Sequence, residues 1–179
     1  MQNFTLHTVE SAPKESKPLL EKSVKAFGSI PNLHAVMAEA PTLLDTYQAL
    51  HQAFLETSFT DEEKTVVWQT INIEHNCQYC VPAHTAIAKS MKISDDVINA
   101  LKTGSALPSE ELNVLRDTTL AMVRQRGVIN EAELDKFYTA GFTQQNLLEI
   151  IVGLAQKVMS NYTNHLAKTP LDEQFKPFA

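Results

Sequence analysis

Helix punctuation runs through this sequence and leaves no room for a sheet. Thr60-Asp61-Glu62-Glu63 has the form of a capping box: Thr60 caps free backbone amides and Glu63 reaches back to the Thr60 amide. Asn130 with Glu133 repeats the pattern, Ser94 and Thr143 each precede an apolar-periodic segment, and Pro108-Ser109-Glu110-Glu111 opens another. Gly28, Gly104, Gly127 and Gly141 stand where such segments stop. Between these marks apolar residues recur at helical spacing. Leu20, Val24 and Phe27 form one stripe, and Leu43, Leu44, Tyr47, Leu50, His51, Phe54 and Leu55 follow Pro41. In the last and longest segment the expected buried seam is Leu147, Ile151, Leu154, Val158, Tyr162 and His165. No alternating run is long enough to argue for a strand. The expectation is an all-α chain, a single domain over residues 1–179, with residues 1–18 (Pro13, Pro18) as an extended N-terminal arm.

A chain of 179 residues is long enough to bury a sizeable core. Its net charge of −6 and the lack of any Lys/Arg run argue against nucleic-acid or anionic-membrane partners. No apolar run approaches the roughly 20 residues that span a bilayer. The start, Met1 to Glu10, lacks the basic head and apolar core of a signal peptide, so a cytoplasmic location is expected. In a reducing compartment a structural disulfide is improbable, and a Cys-x-x-Cys is read as redox-active or metal-binding.

Both cysteines lie in Glu74-His75-Asn76-Cys77-Gln78-Tyr79-Cys80-Val81-Pro82-Ala83-His84. Pro82 has no amide hydrogen and fits a first helical turn, which places the helix start near residues 77–80. Cys77 then sits at or just before the helix N-terminus and Cys80 in its first turn, where free amides and the macrodipole favour a thiolate. Cys80 and His84 are four apart and share a face, so the imidazole can take or stabilise the thiol proton. Glu74 can orient His84 or relay protons.

Blander readings stand beside this one. Cys77, Cys80 and His84 with His75 or Glu74 could hold zinc, although no second Cys pair exists to complete a usual structural site. Alternatively the cysteines are inert and buried, or His84 satisfies a backbone carbonyl. Trp68 and the phenylalanines at 54, 59, 137 and 142 read as core or interface. Asn161 and His165 read as a core pair or subunit contact ahead of a site role, His51 as a weak candidate for the site, and His7 and His34 carry no signal.

The pattern Glu74-x-x-Cys77-x-x-Cys80-x-x-x-His84 resembles the signature of the AhpD-like alkylhydroperoxidases, within the carboxymuconolactone decarboxylase superfamily. The similarity extends through residues 60–101, and the closing segment from Asn161 to Phe175 is similar to the tail of the family's peroxidase-related branch. The resemblance covers about residues 40–175. It implies an all-α fold, assembly into homo-oligomers (trimers or hexamers), and reduction of hydroperoxides by a Cys77–Cys80 dithiol–disulfide cycle. His84 and a glutamate would relay protons, an external dithiol or thioredoxin-like donor would supply electrons, and no flavin, metal or other cofactor is implied. The chain departs from the family's best-studied members at two positions. Their relay glutamate falls here on Thr65, leaving Glu74 or Glu63 for that role, and their histidine before the second cysteine is here Tyr79, so disulfide reduction stands beside peroxide reduction as the implied activity.

In the expected reaction Cys80, favoured because His84 is beside it, attacks the peroxide oxygen and becomes a sulfenic acid, and Cys77 condenses with it; the spacing equally allows the two roles to be exchanged. The alternatives are a lactone decarboxylase, which the superfamily also contains but which needs no Cys-x-x-Cys, and a non-enzymatic redox-sensing or zinc-binding module.

Overall fold

In a computed structural model, which describes residues 4–179, the punctuation marks become helix ends. The helices are α1 Lys17–Phe27, α2 Asn32–Met37, α3 Pro41–Leu55, α4 Asp61–Glu74, α5 Cys80–Ser90, α6 Asp95–Thr103, α7 Glu110–Arg124, α8 Glu131–Thr139 and α9 Gln144–Ala167. Short 3-10 turns lie at Lys14–Ser16 and Glu173–Phe178, and the described residues contain no strand. Both capping boxes form, at Thr60/Glu63 and Asn130/Glu133, and Thr143 makes a third with Asn146. Of the expected arm, residues 1–3 lie outside the described residues. The rest is pinned to α2, where the His7 amide donates to Ala35 O (3.1 Å). Buried Ser16 Oγ likewise donates to Ala38 O, just beyond α2 (2.6 Å).

Helix α4 is the central element. Its residues from Lys64 to Asn72 are all buried, and it packs against α5, α6, α7 and α9. One apolar cluster gathers around Trp68, with Phe54, Phe59, Phe137, Phe142, Leu115 and Ile150. Burying each such side chain removes about 1.5–3 kcal/mol of unfavourable hydration. A second cluster, of Leu20, Met37, Leu44 and Tyr47, contains Cys77, Tyr79 and Cys80. Helices α3 and α9 approach closely at Gly153, where an added Cβ would lie 2.7 Å from the Phe54 ring.

The face that α9 buries differs from the expected seam. Ile151, Tyr162 and His165 are exposed, whereas the buried residues are Ile150, Gly153, Gln156, Lys157, Ser160, Asn161 and Asn164. The apolar pattern misplaces the seam because this helix turns a polar stripe inward. An unpaired buried polar group costs about 1–3 kcal/mol, so such a stripe persists only where partners meet it. Those partners lie on α3, α4 and α5.

Candidate active site

The turn that carries the cysteines is built from a helix stop. Asn76 adopts a left-handed conformation (φ 52°), the Cys77 amide donates to Asn72 O (3.0 Å), and the Asn76 amide donates to Ile73 O (2.9 Å). This paired closure of the last α4 carbonyls is a Schellman motif with Asn in place of the usual Gly. It reverses the chain directly into Cys77, and α5 begins at Cys80. Within α5's first turn the Cys80 amide donates to Cys77 Sγ (3.2 Å).

A polar seam clamps the turn from behind. His75 Nδ1 bonds Asn161 Oδ1 (2.8 Å), Asn161 Nδ2 donates to Asn72 Oδ1 (3.0 Å), and Asn72 Nδ2 donates to Gln69 Oε1 (3.1 Å). Gln69 Nε2 in turn donates to Val81 O (3.1 Å) and Thr85 Oγ1 (3.0 Å). Every amide in this series has one admissible orientation, because each link fixes the next.

The two cysteines are free thiols 3.0 Å apart. Asn164 Nδ2 donates to Cys80 Sγ (3.2 Å) and lies 4.0 Å from Cys77 Sγ, while Asn164 Oδ1 has no partner. An amide that leaves its carbonyl orphaned to point its N–H groups at sulfur is arranged around a thiolate. Burial alone would push the Cys80 thiol up. The hydrogen bond from Cys77, the charge of Lys157 and the amides of Asn164 and Asn161 outweigh it and lower its pKa. Cys77 moves the opposite way: its proton is held by the bond to Cys80 and its burial further disfavours charge. The pair is polarised, with Cys80 the thiolate and Cys77 the thiol.

Lys157 is fully buried. Burial lowers its pKa, and the negative charge of the cysteine pair, carried by Cys80, offsets only part of that, so its ammonium depends on the thiolate. Its Nζ lies 2.7 Å from His84 Nε2. An ammonium donating there makes that nitrogen an acceptor and puts the imidazole proton on Nδ1. Burial, then Lys157, then His51, depresses His84 well below the usual histidine range, so it is neutral. His84 therefore shares a helix with Cys80, as its spacing predicts, but its hydrogen bond goes to Lys157.

His51 is fixed in the complementary tautomer. Trp68 Nε1, a donor only, binds Gln156 Oε1 (2.7 Å), which turns Gln156 Nε2 toward His51 Nδ1 (3.0 Å). His51 Nδ1 therefore accepts and Nε2 carries the proton. Burial holds both His51 and His34 down to about 4.

Cys80, His84 and Lys157 lie at the floor of a cavity of about 250 Å³. Its wall is mainly apolar and aromatic and includes Tyr47, Tyr79, Leu33 and Phe175, with neutral His34 and His51. Cys77 does not line it and is fully buried behind Cys80. Tyr79 Oη donates to Asp172 Oδ2 and its ring meets Phe175 edge-on, so the C-terminal segment closes one side of the cavity.

The other sequence candidates are held elsewhere. Glu74 forms a two-pronged ion pair with Arg124 (2.8 and 2.7 Å), whose hydrogen bonds keep the carboxyl below its ordinary range. Glu63 caps Thr60, and Thr65 Oγ1 bonds Asp61 O (2.9 Å). With His75 on Asn161, Glu74 on Arg124 and His84 on Lys157, the side chains of the zinc alternative diverge. Among the described residues no group of three or more His, Cys, Asp or Glu is placed to hold a metal ion.

Lys157, Asn164, Gln156 and His34 carry no mark along the chain as residues of the site, and Asn161 reads there first as half of a core pair or subunit contact. The α9 residues do leave a trace there. Gln156, Lys157, Ser160, Asn161 and Asn164 recur at three- and four-residue spacing, a polar stripe with the same period as an apolar one.

No family model matches the sequence, and no curated protein matches it significantly. Solved structures do match over nearly their whole lengths. An alkylhydroperoxidase AhpD core, an uncharacterized peroxidase-related protein from Ralstonia eutropha JMP134, superposes with a TM-score of 0.83 at 18% identity, covering 98% of this chain and 96% of that one. A peroxidase-related protein from Silicibacter sp. TM1040 gives 0.80 at 18% identity, with 97% and 95% coverage. The debrominase Bmp8 in complex with 2,3,4-tribromopyrrole gives 0.82 at 15% identity, with 99% and 96% coverage. The all-helical architecture with a Cys-x-x-Cys at a helix start is the AhpD-like fold.

Proposed function

We propose that the protein is a thiol-dependent peroxidase that reduces organic hydroperoxides through a dithiol–disulfide cycle of Cys77 and Cys80. The observation that carries this reading is the polarised pair: Cys80 faces the cavity, stabilised as a thiolate by Lys157 and Asn164, with the Cys77 thiol directly behind it.

Cys80 attacks the terminal oxygen of R–O–O–H, forms Cys80–SOH and expels R–O⁻. The leaving alkoxide needs a proton at that moment, and Lys157 is arranged to release one. Its ammonium is sustained by the thiolate charge against burial, and that charge vanishes when Cys80 becomes a neutral sulfenic acid. Neutral His84, bonded to Lys157, holds the amine in line and offers the route by which the proton is restored. Cys77–SH then displaces water from Cys80–SOH, giving the 77–80 disulfide. An external dithiol, of the thioredoxin-like kind, reduces the disulfide by exchange, attacking Cys80 from the cavity side. The cycle uses no flavin and no metal.

A second reading draws on the tribromopyrrole-bound neighbour and the aromatic walls of the cavity. The same thiolate would take the halogen of a haloaromatic while a proton is delivered to carbon, and Cys77 would displace halide to leave the same disulfide. Halide release from a bromophenol under dithiol, against hydroperoxide consumption under the same conditions, separates the two readings. Cys80→Ser is expected to abolish hydroperoxide consumption, and unchanged turnover would end the dithiol mechanism.

Self-association accompanies this reading. Leu148, Ile151, Tyr162 and Leu166 leave an apolar stripe exposed on the outer face of α9, suited to burial in a homo-oligomer. A light-scattering mass equal to one chain would refute it.

A further inference from the structure

The cavity's charge runs against the chain's. The protein carries a net charge of −6, yet no Asp or Glu lines the cavity. Its three histidines are neutral, so its charged lining residues are the Cys80 thiolate and Lys157, which oppose one another at the floor, and Lys22, which is exposed and belongs to the mouth. Two carboxylates are hydrogen-bonded to lining residues: Asp172 accepts from Tyr79 and from the Asn32 amide, and Glu56 accepts from Gln52. Lys22 takes part in none of the ion pairs found among the described residues. It also has no acid three or four residues away on α1, where its neighbours at that spacing are Pro18, Leu19, Lys25 and Ala26.

We infer that the site takes a compact amphiphilic anion. The apolar body fills the cavity with its reducible bond at Cys80, and a carboxylate at the far end pairs with Lys22. Volume sets the scale. About 250 Å³ holds roughly eight groups of the 30 Å³ that a liquid water molecule occupies, which is the size of a medium-chain or single-ring acid. Hydrogen peroxide would leave almost all of that apolar wall without contact. A cationic ligand would meet Lys22 at the mouth with no carboxylate on the wall to offset it, since the thiolate at the floor is already paired with Lys157.

This inference rests on the thiol reading for the reacting end alone, and binding tests it without turnover. Octanoate, 1-octanol and octylamine are titrated into the reduced protein by calorimetry, and into Lys22→Gln. In parallel, each ligand's effect on Cys80 alkylation by iodoacetamide is followed by mass spectrometry. The expected result is that octanoate binds more tightly than octylamine and slows Cys80 alkylation. Lys22→Gln should weaken octanoate about three- to fivefold, the size of one exposed ion pair, and leave octanol unchanged. Four results would overturn it: no binding, binding that does not protect Cys80, octylamine binding as tightly as octanoate, or octanoate affinity unaltered by Lys22→Gln. Failure of the thiol reading appears separately, as undiminished peroxide consumption by Cys80→Ser.

Discussion

Lys157 Nζ sits 2.7 Å from His84 Nε2, which joins the buried cation of α9 to the histidine of the Cys-x-x-Cys helix. The bond decides the division of labour. A histidine one turn from a cysteine is ordinarily the base that ionises it, whereas here burial and Lys157 depress the imidazole, and the lysine, itself lowered by burial, is held up by the thiolate. The thiolate and ammonium sustain one another, and the consequences are measurable.

Replacing Lys157 with Met preserves bulk and removes the cation that lowers the Cys80 pKa. The pH profile of Cys80 alkylation should therefore move to higher pH. From a Cys80 pKa of about 6, a move of about one unit means roughly twofold slower alkylation at pH 7 and close to tenfold slower alkylation at about pH 5. An unmoved profile would show that the charge does not reach the sulfur.

Asn164→Ala removes the amide that donates to Cys80 Sγ at 3.2 Å. Hydrogen bonds to charged groups contribute about 1.5–3 kcal/mol, so the same profile should again rise by about one unit or more. Cys77 lies further from that amide, so alkylation of Cys77 in a Cys80→Ser background should change far less.

Cys77→Ser separates the two chemical steps. With the resolving thiol gone, one equivalent of hydroperoxide should be consumed and a Cys80 sulfenic acid should accumulate, trapped by dimedone and located by mass spectrometry. Sustained turnover would assign the resolving role elsewhere.

Glu74→Gln breaks the ion pair with Arg124. Hydroperoxide consumption is expected to stay within about twofold, with a stability loss of at most about 1 kcal/mol, the range of a partly exposed pair. A loss of activity of a hundredfold would assign Glu74 to the proton relay.

Gly153→Ala tests the closest helix contact. Its Cβ would lie 2.7 Å from the fully buried Phe54 ring, which has little freedom to withdraw. Overpacking of this kind costs about 1–3 kcal/mol, and the midpoint of thermal unfolding should fall by several degrees.

Amino-acid sequence alone determined the parts of this protein that depend on neighbours along the chain. Capping at Thr60, Ser94, Ser109, Asn130 and Thr143, and the left-handed stops at Gly28 and Gly104, are decided by hydrogen bonds within four residues, and all of them form. The start of α5 at Cys80 follows from Pro82 for the same reason. Tertiary structure decided everything that required a second helix. Glu74 is part of the cysteine motif in sequence, but the rotation of α4 pairs it with Arg124 of α7. Lys157, Asn161 and Asn164 lie more than seventy residues beyond the cysteines, and no interaction between neighbours along the chain ties them to the motif. Only the packing of α9 against α3, α4 and α5 shows that this polar stripe faces inward, toward two sulfurs that need a cation and hydrogen-bond donors.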